Sequence, residues 1–167
     1  MPINDPQAVH HLNALLRLEF SAVDSYSRAL EHGSAQAISA LHENLENHSA
    51  RVRALFDEIQ VLGGLPSSSA GAWGSLAALV AGGAHRFGLD AVLAILEEGE
   101  RHASAVYAAL LPQTEATTRE LIETVLLPAQ IRSRQRLTRL YPGPVQAGAV
   151  GGHAPAAAGD PVRVDAP

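Results

Sequence analysis

Glu19, His48 and Glu100 interrupt three otherwise apolar seams, and each stands where the spacing of its neighbours assigns an interior position. Two carboxylates and an imidazole brought to one place are a ligand set for a divalent cation. They suit Fe(II), Mn(II) or Zn(II), completed by water or by Glu97, one turn before Glu100. The same groups can instead be satisfied by one another and by an arginine, with Arg51, Arg132 and Arg136 as candidate countercharges. Some such partner is required, because an unpaired buried charge costs several kcal/mol. At this level the two readings stand side by side: one divalent ion, or none.

The elements that must position these groups are helices. Leu12, Leu16, Glu19, Val23, Tyr26 and Leu30 repeat by alternating fours and threes. So do Ile38, Leu41, Leu45, His48, Val52, Leu55, Ile59 and Leu62, and then Leu89, Leu93, Leu96, Glu100, Ala103, Tyr107 and Leu110. A less regular stripe follows at Ile122, Leu126, Ala129, Ser133, Leu137 and Leu140. Such spacing is that of helices packed lengthwise around a shared core. Asp5-Pro6 marks a first N-terminus, Gly63-Gly64 a left-handed stop, and Thr117 with Glu120 a capping box. The pattern predicts helices near 6–32, 34–62, 89–111 and 115–140, so the class is all-α. Short connections make two antiparallel hairpins. Residues 63–88 are too many for a turn and long enough to recross a bundle of about 42 Å at 1.5 Å per residue. A short helix from Trp73 to Ala84 fits on the way, with Trp73 anchoring the crossover. The expected division is a bundle over 1–141 and a disordered Ala/Gly/Pro-rich tail over 142–167.

In this arrangement Glu19, fourteen residues before Gly33, and His48, fifteen after it, face each other at one level. Glu100 reaches the same level if the crossover returns the chain to the Gly33 end.

Composition removes other classes of function. There is no cysteine, which excludes disulfides, thiolate metal sites and thiol nucleophiles. Acids outnumber bases, 17 to 12, with no basic run interleaved with aromatics, so nucleic acid is not an expected partner. Nothing approaches the roughly 18 apolar residues of a membrane span, and no secretory leader is recognisable. The expectation is a soluble, cytoplasmic protein that could self-associate through bundle faces. Arg132, Arg136 and Arg139 form a basic stripe on helix four, read as a solvated or subunit-facing surface.

Leu12 to Tyr26 (LNALLRLEFSAVDSY) resembles the first helix of bacterioferritins, whose glutamate is an iron ligand followed seven residues on by tyrosine. LGGLP at Leu62–Pro66 is similar to the end of their second helix. Glu100-x-x-Ala103-x-x-x-Tyr107 is similar to the ligand stretch of ferritin-like third helices. A closer resemblance is to an uncharacterised family of bacterial ferritin-like proteins, a domain of unknown function. Its members share the LGG-x-P stop, a Gly- and Trp-containing crossover, and the Glu-x-Gly-Glu pattern at Glu97–Glu100. The resemblance spans roughly residues 9–140. It implies a ferritin-like four-helix bundle and brings with it no established reaction.

The departures from that pattern bear on chemistry. Ferritin-like di-iron sites take a Glu from two helices and a Glu-x-x-His pair from each of the other two. This chain has no Glu-x-x-His anywhere, and the matching slots of helix two hold His48-x-x-Arg51. Opposite Glu100, helix four offers Pro128, Ala129 and Gln130, with Ser133 and Arg134 beyond. The leading expectation is therefore a structural, binding or stress-associated module with a degenerate metal site, without a catalytic residue. The alternative is a metal-dependent oxidoreductase or iron-handling protein with a mononuclear or incomplete di-metal site at Glu19, His48, Glu100 and Glu97.

Overall fold

The computed structural model describes residues 5–71 and 75–141, with backbone alone for 75–77, 81 and 83–87. Helix α1 spans Pro6–Leu30, α2 Ala35–Val61 and α3 Ser75–Leu110. A 3-10 turn, Leu111–Gln113, precedes α4 at Ala116–Leu121. One π-helical turn, Ile122–Leu126, joins α4 to α5 at Leu127–Leu140, so the two make one fourth rod. Among the described residues the regular structure is all helical, and the four main helices pack as a bundle. The expectations for the tail at 142–167 and for Trp73 fall outside the described residues.

The ends of these helices follow from local chemistry. Asp5 accepts the amides of Gln7 and Ala8 at 3.0 Å, and Pro6 fills the first helical position, where an amide would lack a partner. At the end of α2, Gly63 adopts φ 74°, and the Gly64 and Gly63 amides donate to the Ile59 and Gln60 carbonyls at 2.8 and 2.9 Å. That is a Schellman stop. The capping box expected at Thr117 does not form: α4 begins at Ala116 after Glu115, without a side-chain cap. Thr117 therefore stands inside the first turn, where it cannot cap. Within α3, Gly88 has φ 76° and ψ −168°, a conformation essentially open only to glycine, and it divides a crossover helix from the third bundle helix.

Directions follow from side-chain pairs. Tyr26 of α1 bonds Glu100 of α3, while Tyr107 of α3 bonds Glu19 of α1, so these helices are antiparallel. Glu19 meets His48 and Tyr26 meets Asn44, so α1 and α2 are antiparallel too. Helices α2 and α3 therefore run parallel, and the connection must recross the bundle. It does so along α1. Gly64 lies against Val9; Asn13 and Arg17 then bond Leu65 and Ser67. Further along, Val80 is buried with Tyr26 and Ala29.

The core is split by a polar layer. One apolar cluster gathers Leu12, Leu16, Leu55, Ile59, Tyr107 and Ile122. The other gathers Tyr26, Leu41, Val92, Leu96 and Leu137. On α2 and at its C-cap the interior face takes in Leu41, His48, Leu55, Ile59 and Leu62 of the apolar repeat and widens beyond it. Asn44 and Arg51 are buried, Leu45 and Val52 sit at the margin, and Ile38 is 45% exposed. Asn44 and Arg51, one step before Leu45 and Val52, go inside because each bonds both α1 and α5. In the fourth rod, Leu127 donates to the Ile122 carbonyl one residue further back than in an α-helix. This wider turn precedes Pro128, which has no amide to offer, and shifts the register by about 100°, one residue's share of a turn. Ala129, Gln130, Ser133 and Leu137 then face inward.

Candidate functional site

The polar layer is built by two similar halves. Glu19 and Glu100 each open a Glu-x-x-Ala-x-x-x-Tyr run, and two turns of helix keep the Glu and Tyr on one face. Because α1 and α3 are antiparallel, each tyrosine reaches the opposite helix. Tyr26 Oη donates to Glu100 Oε1, and Tyr107 Oη to Glu19 Oε1, both at 2.7 Å. Helices α2 and α5 each add a pair spaced i, i+3, His48 with Arg51 and Gln130 with Ser133.

His48 spans the two carboxylates, with Nδ1 2.7 Å from Glu19 Oε2 and Nε2 3.0 Å from Glu100 Oε1, its ring stacked on Tyr26. Arg51, only 2% exposed, donates from Nε to Glu19 Oε1 at 2.9 Å and from Nη2 to Gln130 Oε1 at 3.0 Å. Its Nη1 serves Asn47 at 2.6 Å and Ser133 Oγ at 3.3 Å. Gln130 completes the ring, donating to Glu100 Oε2 at 2.7 Å and to the Glu100 carbonyl at 3.1 Å. Asn44 ties the layer's edge to Tyr26 and to the Ser133 carbonyl, and accepts from Arg136, which also pairs with Glu43.

Charge decides the protonation states. Burial pushes the Glu19 carboxyl up, but Arg51 and His48 together outweigh it and bring its pKa down to about 2. Burial likewise works against the charged form of His48, yet Glu19 carries its pKa above the usual 6.5. A carboxylate at each ring nitrogen calls for two N–H donors, which is the imidazolium form. Arg51 Nη2 also stands 2.6 Å from His48 Nδ1, a donor facing a donor in that form. The contact persists because Glu19 and Gln130 hold the guanidinium, and its repulsion is the opposing influence on the histidine. Burial and the neighbouring carboxylates push both tyrosine hydroxyls well above 10, so they remain donors. Two carboxylates face one guanidinium and one imidazolium, a balanced set within hydrogen-bonding reach.

The structure brings Glu19, His48 and Glu100 together, at 1%, 1% and 2% exposure. It leaves Glu97 half-buried, outside the hydrogen-bonded network. The three do not converge as metal ligands would. The carboxylates lie on opposite edges of the imidazole and use both ring nitrogens, and the guanidinium fills the remaining side. Among the described residues, no group of three or more His, Asp or Glu is disposed to hold a metal ion. Of the candidate countercharges, Arg51 is central, Arg132 is exposed, and Arg136 turns inward to Asn44 and Glu43 rather than onto a free surface stripe. Asn44 and the role of Gln130 were not found from sequence. The available signal was Gln130-x-x-Ser133 repeating the spacing of His48-x-x-Arg51.

A family model described as a domain of unknown function, DUF2383, matches residues 7–113, more than half of the chain. The chain belongs to that family. The matched region contains Glu19, Tyr26, His48, Arg51, Glu100 and Tyr107, and stops before Gln130 and Ser133. Among curated proteins and solved structures, none matches the chain.

Proposed function

We propose that this domain is a ferritin-like bundle whose centre is laid out like a two-metal site but closed by its own cations, and that it serves as a structural or binding module. The layout of one Glu from each of two helices and an i, i+3 pair from each of the other two is that of di-iron carboxylate bundles. Here the pairs are His48/Arg51 and Gln130/Ser133. The observation that carries the reading is Arg51: a buried guanidinium with its Nε 2.9 Å from Glu19 supplies the charge that a cation would. In this reading the layer holds four helices in one register, because a slip of any helix would leave charged groups unpaired.

The test is metal content and metal response. Untagged protein should carry no stoichiometric iron, manganese or zinc by elemental analysis. Adding Mn(II) or Zn(II) should move its melting midpoint by less than about 2 °C. A site filled at a hundred times its dissociation constant would add about 2.7 kcal/mol, roughly 5–10 °C in a chain of this size. A shift of that size with one ion per chain would favour the metal-dependent oxidoreductase reading instead.

A further inference from the structure

A cleft of about 210 Å³ opens between α1 and α3 and runs down to the polar layer. Its walls are Leu18, Ala22, Leu79 and Leu96, and its floor includes Tyr26 and Glu100. An apolar cavity of about 150 Å³ accepts benzene, so this one holds a single ring with a substituent or two. Leu79 stands on the wall yet is 60% exposed, apolar surface that an occupant would cover. At the floor, Glu100 Oε1 receives Tyr26 and His48, while among the described residues Oε2 receives one side-chain hydrogen bond, from Gln130. A carboxylate oxygen has two lone pairs, which leaves capacity for one more donor. Glu98 also lines the cleft, held by Arg101, and the His48 imidazolium on the floor already serves Glu19 and Glu100, so a negatively charged occupant finds no spare donor on the imidazolium.

We infer that the cleft is a binding site for a compact single-ring molecule carrying one hydrogen-bond donor, an aromatic alcohol or amine, its ring between Leu18, Leu79 and Leu96 and its donor turned toward Glu100. Apolar walls with a few convergent polar groups at the base are the usual form of small-molecule sites. The inference does not depend on whether the polar layer excludes metal, and it is tested in the presence of a chelator.

Phenol and aniline are titrated into the full chain by calorimetry and ligand-observed NMR, with benzoate as the anionic counterpart. At least one of the two donors should bind saturably, one per chain, tighter than about 1 mM, which a ligand this small can reach. Benzoate should bind at least tenfold more weakly. Ala22→Phe, which fills the cleft from the wall, should weaken the donor at least tenfold. Leu79→Ala, at an exposed position where folding is not at stake, should weaken it several-fold. No saturable binding of either donor, benzoate binding as well as the donors, or affinity unchanged in a folded Leu79→Ala variant would each overturn the assignment.

Discussion

Replacing Arg51 with alanine tests the central claim about the polar layer. The change leaves Glu19, at 1% exposure, with only His48 and Tyr107, and strips Gln130 Oε1 of its donor. Breaking one side of a buried ion pair costs about 3–5 kcal/mol, and an orphaned amide oxygen adds about 1. The two partners that Glu19 retains offset part of this, so the expected loss at pH 7 stays near 3–5 kcal/mol. At about 2–4 °C per kcal/mol that is a fall of roughly 10 °C in midpoint. The loss should also depend on pH. In the parent, Glu19 is held near 2, below its ordinary 4.5, so its contribution is present above 4.5 and disappears only as pH falls toward 2. Without the guanidinium, burial lifts the carboxyl, and protonating it relieves the variant. Parent and variant should therefore converge as pH falls from 7 through 4.5. Urea denaturation of both proteins across this range supplies the free energies. Zn(II) or Mn(II) should restore part of the variant's stability and leave the parent unmoved. A loss below about 1 kcal/mol, a gap that stays constant from pH 7 to pH 4, or a metal-stabilised parent beside an indifferent variant would refute the reasoning.

Further outcomes concern the same layer and one backbone contact. The folded pKa of His48 is raised, so its contribution is complete below about 6.5 and is lost as pH rises through the folded value. The parent should lose stability on going from pH 6 to pH 9, and His48→Gln should flatten that slope in urea titrations. Gly64→Ala would set its Cβ 2.6 Å from Val9 Cγ1. It should cost about 1–3 kcal/mol, read as a lower urea midpoint at unchanged m-value.

Much of this architecture is written in local chemistry. The Asp5-Pro6 start, the Gly63-Gly64 stop and the three-four apolar spacing specify helices without help from the rest of the chain. The length of residues 63–88 allows a crossover, and the side-chain pairs that make α2 and α3 parallel show that the chain takes it. Glu19, His48 and Glu100 were legible as interior groups because each replaces an apolar residue in an otherwise regular seam, and helical periodicity alone fixes the face on which each lies.

Arg51 was legible as a candidate countercharge one turn after His48, whereas Asn44 and Gln130 were not legible in this way. An apolar repeat reports which residues avoid water and says nothing of a polar residue that leaves water for a partner. On α2 it marks Leu45 and Val52, which stay at the margin, and passes over Asn44 and Arg51, which are buried beside Leu41, His48 and Leu55. Those two are buried because α5 presents Gln130, Ser133 and Arg136 to them. The π turn before Pro128 then decides which face of α5 does the presenting. The sequence by itself determines that two carboxylates and an imidazole go inside. Only tertiary packing decides that the charge meeting them is a guanidinium, because a buried ion is stabilised by its neighbours in space and not by its neighbours along the helix.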